Sequence, residues 1–527
     1  SPDLTTNDPE KLRQHESGGL TMDATGAENH CTILVIEPSV VETNMLWVGT
    51  DDGRVHYTRN GGSDWIEVTK NIKDLPKGSW ITQIKASKTN KGEALLVAND
   101  YRRFNYTPYA YRTTNYGKTW KRIVDKDDTE SYTLCIVEDE KEPNLMFLGT
   151  DDGLYISIDA GNEWTKWTNG FPTVSVKDLV IHPREDDLII GTFGRAAWIL
   201  DDIRPLREFA KNTKPTIDHI KLFEPPTAYM AAYQQPSGSR FGGDALYHGT
   251  NRGYGARFAY YFNSKSEEKR DTLVQWDTLK LQIFDQERLI RTLKQKVPKE
   301  NGIKYWTWYM DEKGVEYPIK ATTKTKKEPS GTRVLKGTYK AVLNYGNLSS
   351  ETSIRVENDP RLNVNDEAQR AIYLTSKRLE SYLSKATEAT QQLVQSKKIA
   401  ETFMKSLKET DEKGFTQEIE ETEQIKSKIE ELLVLFFGKV DERQGITSDP
   451  NVSVLERLGT ANYYVSTRQN GVTSTEQTLI ENAKSALNKA LNQVNLFFEF
   501  DWDKFQKQSE RINLSPFKAV KIIRLDE

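Results

Sequence analysis

The chain has 527 residues, enough for roughly two to four domains. Its 73 Lys and Arg residues are balanced by 77 Asp and Glu residues, giving a formal charge of -4, so it lacks the basic field of nucleic-acid-binding proteins. No apolar run approaches the roughly 18–20 residues that cross a bilayer. We therefore expect neither a nucleic-acid partner nor a membrane span in this chain.

The N-terminal part of the chain contains a repeated unit. The segments LWVGTDDGRVHYTRNGGSDW (46–65) and MFLGTDDGLYISIDAGNEW (146–164) are near copies. A middle copy is split between LLVANDY (95–101) and YRTTNYGKTW (111–120), and a degenerate fourth copy is LIIGTFGRAAWILDD (188–202). Taking Gly49, Ala98, Gly149 and Gly191 as equivalent gives successive spacings of 49, 51 and 42 residues. Tandem β-rich units of about this length are typical of the blades of a β-propeller.

Each of the first three units also carries the pattern S/T-x-D/N-x-G-x-x-W, the Asp-box or BNR repeat. In a hairpin turn the Asp or Asn accepts backbone N–H bonds, and the Gly adopts a positive φ. The Trp packs back onto the sheet and buries a large apolar area. We expect these residues to be structural: Thr58, Asn60, Gly62, Trp65, Thr113, Asn115, Gly117, Trp120, Ser157, Asp159, Gly161 and Trp164. Residues 1–205 are therefore predicted to be all-β propeller blades.

The order of the segments ESGGLTMDATGAENHCTI, GTDDG, TPYAYRTTNYGKTW and GTFGRAAWILDDI resembles the C-terminal half of large bacterial sortilin-like (vacuolar-sorting-receptor-type) propeller proteins, often labelled glycosyl hydrolases. The resemblance implies that the chain begins within a propeller and that an upstream propeller half, in the same precursor or a separate chain, is its partner. It also implies an extracytoplasmic location: periplasmic, cell-surface or secreted. In the family's closing motif, HGRG-W-LDD, Phe193 replaces the His and Ala196 the second Gly, whereas Arg195 matches.

Two further domains are predicted after the propeller. Pro215, Pro225 and Pro226 mark a linker at 206–224. Alternating strands separated by polar turns then predict a β-sandwich over 225–358, which resembles the fibronectin type III-like module of the same family. On one of these strands Trp306 and Trp308 share a face; we expect core packing, with a sugar-stacking platform as the alternative.

The rest of the chain is predicted to be helical. Apolar residues recur near every seventh position from Ile372, and a capping box of Thr473 and Glu476 opens the last long helix. Residues 359–513 are therefore predicted to form an antiparallel helical bundle, followed by a C-terminal tail at 514–527. The apolar stripes are expected to be core.

No catalytic residue is predicted. The acid pairs Asp51-Asp52 and Asp151-Asp152 recur at equivalent positions, whereas a catalytic acid is needed once, so we interpret them as turn residues. The arginine motif F-R-I-P of Asp-box sialidases and the common zinc-protease and serine-hydrolase motifs are absent from the sequence. No cofactor or metal site is expected. Cys31 and Cys135 are predicted to be free, buried thiols on early strands of units that are not neighbours.

The candidate binding residues lie mainly in the segment YRRFNYTPYAYRTT, which is longer than its counterparts and is interpreted as an elaborated loop. It is rich in Tyr and Arg, the residue types that dominate interface hot spots. The candidates are Tyr101, Arg102, Arg103, Tyr106, Tyr109, Tyr111 and Arg195. We expect a non-catalytic binding scaffold for a protein or peptide, or for a glycan. The alternative is a glycoside hydrolase whose catalytic carboxylates lie on blades upstream of Ser1.

Overall fold

A computed structural model describes residues 1–13, 30–211, 220–231, 252–263, 277–320, 327–439, 452–512 and 514. The chain divides into two compact units, Ser1–Asp218 and His219–Glu527. Three predicted features lie wholly or largely outside the described residues: the first segment of the family resemblance, Pro215 and the C-terminal tail.

The N-terminal unit contains four successive antiparallel sheets, and within each sheet the strands are neighbours in chain order. Sheets 1 to 3 have four strands each, and sheet 4 has three. The strands are β1 (Ile33–Pro38), β2 (Leu46–Thr50), β3 (Val55–Thr58) and β4 (Ile66–Glu67) in sheet 1; β5 (Trp80–Ala86), β6 (Ala94–Asp100), β7 (Asn105–Thr113) and β8 (Lys121–Val124) in sheet 2; β9 (Thr133–Glu138), β10 (Met146–Thr150), β11 (Gly153–Ser157) and β12 (Thr165–Lys166) in sheet 3; β13 (Val176–Ile181), β14 (Leu188–Thr192) and β15 (Ala197–Leu200) in sheet 4.

Neighbouring sheets pack face to face, and each contact has its own hydrophobic cluster. Trp47 and Tyr57 of sheet 1 share a cluster with Ile84 of sheet 2. Two further clusters join sheet 2 to sheet 3 and sheet 3 to sheet 4. Sheets that bury their faces against the preceding and following sheets in the chain have the arrangement of consecutive propeller blades.

The repeated glycines of the first and third units, Gly49 and Gly149, make room for neighbouring strands. A Cβ atom on Gly149 would lie 2.4 Å from the sulfur of Cys135 and 2.7 Å from Cγ1 of Val176, on the first strand of sheet 4. A Cβ atom on Gly49 would lie 2.5 Å from Ile81, on the first strand of sheet 2. A side chain is therefore excluded by packing against the first strand of the same sheet and of the next sheet, rather than by backbone conformation.

The first and last of the four sheets expose apolar side chains among the described residues. Ile36 on β1 is 61% exposed, whereas Ile136, at the corresponding register on β9, is 0% exposed. At the other end Ile199 on β15 is 62% exposed. A Cβ atom on Gly191 would meet its nearest described neighbour, in its own sheet, at 3.6 Å.

Both cysteines are free, as predicted, but only Cys135 lies on a strand and is buried. Cys31 is half-buried and precedes β1, with a φ of +60°. The prediction of a buried early-strand position was wrong for Cys31, because Cys31 itself has a left-handed backbone conformation and lies before the first strand.

A helix, α1 (Arg204–Lys211), follows sheet 4, so residues 206–211 of the predicted linker are helical. The helix is fixed by Arg207, which is buried and donates to both carboxylate oxygens of Asp139 at 2.8 and 2.6 Å. Arg207 also contacts Asp186 at 2.9 Å. This ion-pair network attaches the helix to sheets 3 and 4.

The C-terminal unit begins with two sheets that share one hydrophobic cluster. One sheet has the order β16-β18-β21 and the other β17-β25-β24-β19-β20, and a hairpin of β22 and β23 lies beside them. The strands are β16 (Ile220–Leu222), β17 (Ala228–Met230), β18 (Ala256–Phe262), β19 (Thr278–Asp285), β20 (Arg288–Lys296), β21 (Gly302–Trp308), β22 (Asp311–Lys313), β23 (Ser330–Arg333), β24 (Gly337–Tyr345) and β25 (Leu348–Asn358). The first strand starts at Ile220, inside the predicted linker. The fibronectin-like assignment and the domain boundaries stay predictions.

Trp308 is part of the core between these sheets. It is fully buried, and its Nε1 donates to the carbonyl oxygen of Asp311 at 2.8 Å. Trp306 packs at the edge of the same cluster, with its ring centre 6.3 Å from that of Tyr260. Because Trp308 has no exposed ring face, the pair cannot form a sugar-stacking platform.

The helical region follows Asn358. Its helices are α2 (Asp366–Asp411), α3 (Thr416–Phe437), α4 (Val454–Ser466) and α5 (Ser474–Leu496), then a π-helical turn (Phe497–Trp502) and α6 (Asp503–Ser509). All of them contribute to one hydrophobic cluster. The predicted capping box is present, with Glu476 accepting from the backbone N–H of Thr473 at 2.8 Å. No helix among the described residues is long and apolar enough to span a membrane.

Candidate functional site

The three Asp-box turns have the same hydrogen bonds. In the first, the backbone N–H of Gly62 donates to Oγ1 of Thr58 at 3.0 Å, and that of Asp64 donates to Oδ1 of Asn60 at 2.9 Å. Equivalent bonds recur in the other two turns. The glycines of all three turns have φ values of +94°, +71° and +84° in chain order. These residues hold the hairpins that connect the last two strands of sheets 1 to 3.

The Asp-box tryptophans attach these turns to their surroundings. Trp120 is buried, with its ring centre 5.9 Å from that of Trp47 in sheet 1. Trp164 is buried and donates from Nε1 to the carbonyl oxygen of Ile123 in sheet 2 at 2.8 Å. Nε1 of Trp65 donates to the carbonyl oxygen of Gly62, in the same turn, at 3.1 Å. Two of the three rings thus tie a sheet to the one before it.

The repeated acid pairs lie at the opposite ends of the sheets, where they bond turn and loop atoms. Asp51 is buried and accepts from the backbone N–H of Thr32 at 2.8 Å, and burial raises the pKa of this carboxyl. Asp152 accepts from Oγ1 of Thr150 at 2.6 Å and from Nζ of Lys166 at 2.8 Å. No group of three metal-ligating side chains occurs in the described part of the chain.

The segment interpreted as an elaborated loop is mostly strand. A 3-10 turn at Tyr101–Arg103 leads directly into β7, which begins at Asn105. On β7 the side chains of Tyr109 and Tyr111 point into the cluster between sheets 1 and 2, and both are buried. These two candidates are therefore corrected to core residues, because a buried ring cannot contact a partner.

Five side chains across sheets 2 and 3 form what we call the aromatic row: Trp80, Arg102, Tyr101, Tyr132 and Tyr106. The guanidinium carbon of Arg102 lies 3.3 Å from the ring centre of Trp80 and 4.7 Å from that of Tyr101. Tyr101 stacks on Tyr132, with ring centres 4.6 Å apart and planes at 20°. Tyr106 lies 6.1 Å from Tyr132. Cation–π and aromatic contacts of this kind hold the planar groups in fixed positions.

The outer edge of the row is exposed and apolar. Tyr106 is 52% exposed, and the neighbouring Phe104 is 77% exposed. Phe104 ends the 3-10 turn with a φ of +60°, a conformation that is costly for a bulky side chain. The turn thus holds an aromatic ring in solvent with a strained backbone.

Tyr132 is buried, whereas Trp80, Tyr101 and Arg102 are half-buried. Burial and a hydrogen bond with Asp151 raise the pKa of Tyr132, which therefore stays neutral at physiological pH. Asp151 belongs to the second repeated pair and lies in the turn between β10 and β11. The row is thereby connected to sheet 3 by a polar contact as well as by stacking.

The remaining two candidates, Arg103 and Arg195, occupy different positions. Arg103 donates from Nε to Asp100 at 2.6 Å and from Nη1 to the carbonyl oxygen of Lys77 at 2.8 Å, so it holds the turn in place. Arg195 is exposed in the turn between β14 and β15, and its carbonyl oxygen accepts from Nε1 of Trp198 at 3.0 Å. No contact joins Arg195 to the aromatic row in the described residues.

Sequence reasoning missed two members of the row, Trp80 and Tyr132. Trp80 is the first residue of β5, and Tyr132 immediately precedes β9. Both therefore lie near the start of the first strand of a repeat unit. When the repeat units are aligned at this strand, Trp80 and Tyr132 fall at nearly the same position.

A second feature of this unit is a cavity of about 150 Å³ between the first strands of neighbouring sheets. Its lining includes Glu37, Lys85, Glu138 and Leu179. Burial raises the pKa of Glu37 and of Glu138, although each has a cation nearby. Arg112 donates a hydrogen bond from Nη2 to the carboxylate of Glu138.

Comparison with known proteins gives limited similarity. Residues 109–213 match the family described as Sortilin, neurotensin receptor 3, which is less than half of the chain. No curated protein matches. Among solved structures, the GH74 xyloglucanase from Xanthomonas campestris is 13% identical, with 32% of this chain and 29% of that one covered and a TM-score of 0.25.

Two structures of YCF48 are also similar. YCF48 from Cyanidioschyzon merolae is 18% identical, covers 32% of this chain and 55% of its own, and has a TM-score of 0.23. YCF48 bound to D1 peptide is 13% identical, with coverage of 32% and 77% and a TM-score of 0.15. This chain thus spans less than two thirds of the xyloglucanase and of the first YCF48 structure. At TM-scores below 0.5 these similarities do not establish a shared overall fold.

Proposed function

We propose that the protein is a non-catalytic binding scaffold whose N-terminal sheets recognise a protein or peptide through the aromatic row and Phe104. The observation that carries the proposal is the contrast between the stacked, half-buried or buried side of the row and its exposed edge. A ring that is exposed and also rigidly supported loses little entropy when a partner binds. Aromatic and Arg side chains of this kind dominate binding hot spots.

The geometry favours a peptide over a sugar. Sugar rings stack on open aromatic faces, but Tyr101 already stacks with Arg102 and Tyr132. The rings that remain exposed are Phe104 and Tyr106, which offer apolar edges suited to aliphatic or aromatic side chains of a partner. We therefore place the contact at these two residues.

The alternative function, a glycoside hydrolase, requires catalytic carboxylates outside this chain. Asp51 and Asp152 have hydrogen-bond partners in their own turns and loops, which supports a structural role for the repeated acids. We also propose that an upstream propeller half, from the same precursor or a separate chain, covers the exposed faces of sheets 1 and 4, and that the protein acts outside the cytoplasm.

Selection from a random peptide library displayed on phage tests the proposal, with the whole chain as bait. The wild-type protein is expected to enrich a consensus of apolar residues. The double variant Phe104→Ala, Tyr106→Ala should lose this enrichment, whereas the control Phe193→Ala, which removes an exposed ring from sheet 4, should retain it. Enrichment by the double variant equal to that of the wild type would refute the site. Binding of the wild type to a glycan array, without peptide enrichment, would support the alternative.

A further inference from the structure

The C-terminal unit contains a cleft of about 330 Å³ between β23, α2 and α4. Its floor is an apolar stripe that includes Ile372, Leu379 and Leu383 of α2 and Leu458 of α4. The volume lies at the lower end of the range of about 300–1,000 Å³ for small-molecule sites, which often form between packed elements of this kind. The cleft is distinct from the aromatic row and independent of the function proposed above.

The two ends of the cleft differ in polarity. One end is polar: Nε2 of Gln369 donates to the carbonyl oxygen of Gln469 at 2.7 Å, and Arg468 lines the cleft nearby. At the other end Leu379 and Leu383 line the cleft from the later turns of α2, beside Glu380, whose carboxylate accepts from the backbone N–H and the hydroxyl of Thr332 at 2.6 and 2.8 Å. From residue 369 to residue 383 the helix rises about 21 Å, at 1.5 Å per residue. The cleft is therefore long and narrow, and the α2 side of the end at Leu379 and Leu383 is more apolar than the end at Gln369.

Gly459 keeps one wall of the cleft open. It lies inside α4, where a glycine is less favourable than an alanine. Its backbone has no positive φ, and a Cβ atom there would meet nothing within 4 Å. Neither conformation nor close packing in the described residues requires a glycine at this position. Because Gly459 has no side chain, the cleft is wider here than it would be with any other residue.

We infer that this cleft binds an amphiphile: a single aliphatic chain that lies along Ile372, Leu379 and Leu383, with a hydrogen-bonding head group at the Gln369 end. An aliphatic chain matches the length, width and apolar floor of the cleft. At the other end Gln369 bonds Gln469 and Arg468 bonds Glu476, and the N–H groups that these side chains have beyond those bonds supply donors for a neutral or anionic head. Gly459 provides the space through which the chain fits.

Titration of the whole protein with the fluorescent fatty acid 11-(dansylamino)undecanoic acid tests the inference. The wild type should show saturable binding, and dodecanoate and dodecyl maltoside should displace the probe. Gly459→Phe fills open space and should weaken binding by about tenfold or more. Because it removes a helix-interior glycine, its melting temperature should equal or exceed that of the wild type.

Two controls make the result interpretable. Gly459→Ala should bind the probe like the wild type, since a methyl group leaves most of the cleft open. Ile399→Phe, on an exposed part of α2 outside the cleft, should also bind normally. Absence of saturable binding to the wild type, failure of both competitors, or undiminished binding by Gly459→Phe would overturn the inference.

Discussion

The guanidinium carbon of Arg102 lies 3.3 Å from the ring centre of Trp80, so the turn after β6 rests on the first residue of β5. This contact is the first step of the aromatic row, which continues through Tyr101 and Tyr132 into sheet 3. The same turn holds Phe104 in solvent. The row therefore supports the proposed binding surface and also joins two sheets.

Arg102→Ala should reduce the free energy of unfolding by about 0.5–2 kcal/mol, because it removes the cation from the faces of two rings. Arg102→Lys should lose part of this energy, since an ammonium group stacks less well than a planar guanidinium. Urea unfolding followed by tryptophan fluorescence measures the effect, with the surface variant Lys126→Ala as control. Equal stability of wild type and Arg102→Ala would show that the stack contributes nothing.

Gly149→Ala should destabilise the N-terminal unit by about 1–3 kcal/mol, because the added methyl group would overlap Cys135 and Val176. Gly191→Ala is the matched control. It has the same place in the repeat, but its nearest neighbour is 3.6 Å away, so we expect a change within about 0.5 kcal/mol. Similar losses for the two variants would contradict close packing against Cys135 and Val176 as the reason for the glycine.

Arg207→Ala should cost about 3–5 kcal/mol, because it leaves the buried carboxylate of Asp139 without its bidentate partner. Arg184→Ala, whose side chain is 75% exposed, should change stability by less than about 0.5 kcal/mol. Both are measured by urea unfolding. A small effect of Arg207→Ala would mean that α1 is not attached to the sheets by this network.

Glu37→Gln should raise the melting temperature at pH 7 and have less effect at pH 4. Burial raises the pKa of Glu37 above 4.5, so the folded state holds the proton more tightly than the unfolded state does. Stability is then lost as the pH rises through the interval above 4.5, where the charged carboxylate is the unfavourable form. An amide avoids this charge and still accepts from the N–H of Ala86. A larger rise in melting temperature at pH 4 than at pH 7 would contradict this explanation.

The repeat could be predicted from sequence because its signals are local. Each unit carries its own turn glycine and Trp, and the strands before them are rich in β-forming residues. Strand β20 carries no such signal, because the hairpin before it turns at Gln286, with a φ of +53°, where the sequence has neither Gly nor Asn. The sequence there is also largely polar.

The candidate site was predicted only in part. The turn at 101–104 stands out by composition, but the burial of Tyr109 and Tyr111 depends on strand register, and this segment was interpreted as a loop. The partnership of Arg102 with Trp80 joins residues that are close only when β5 and β6 pair. Contacts of this kind arise from tertiary packing and leave no pattern in a single sequence.

The most direct test of the account is the affinity of a wild-type-selected peptide for the protein with and without its exposed rings. We expect Phe104→Ala, Tyr106→Ala to raise the dissociation constant, measured by fluorescence anisotropy, by about a hundredfold, since hot-spot side chains contribute about 2 kcal/mol or more. The melting temperature should change little, because both rings are largely exposed. An unchanged dissociation constant in a folded double variant would contradict the assignment of this surface.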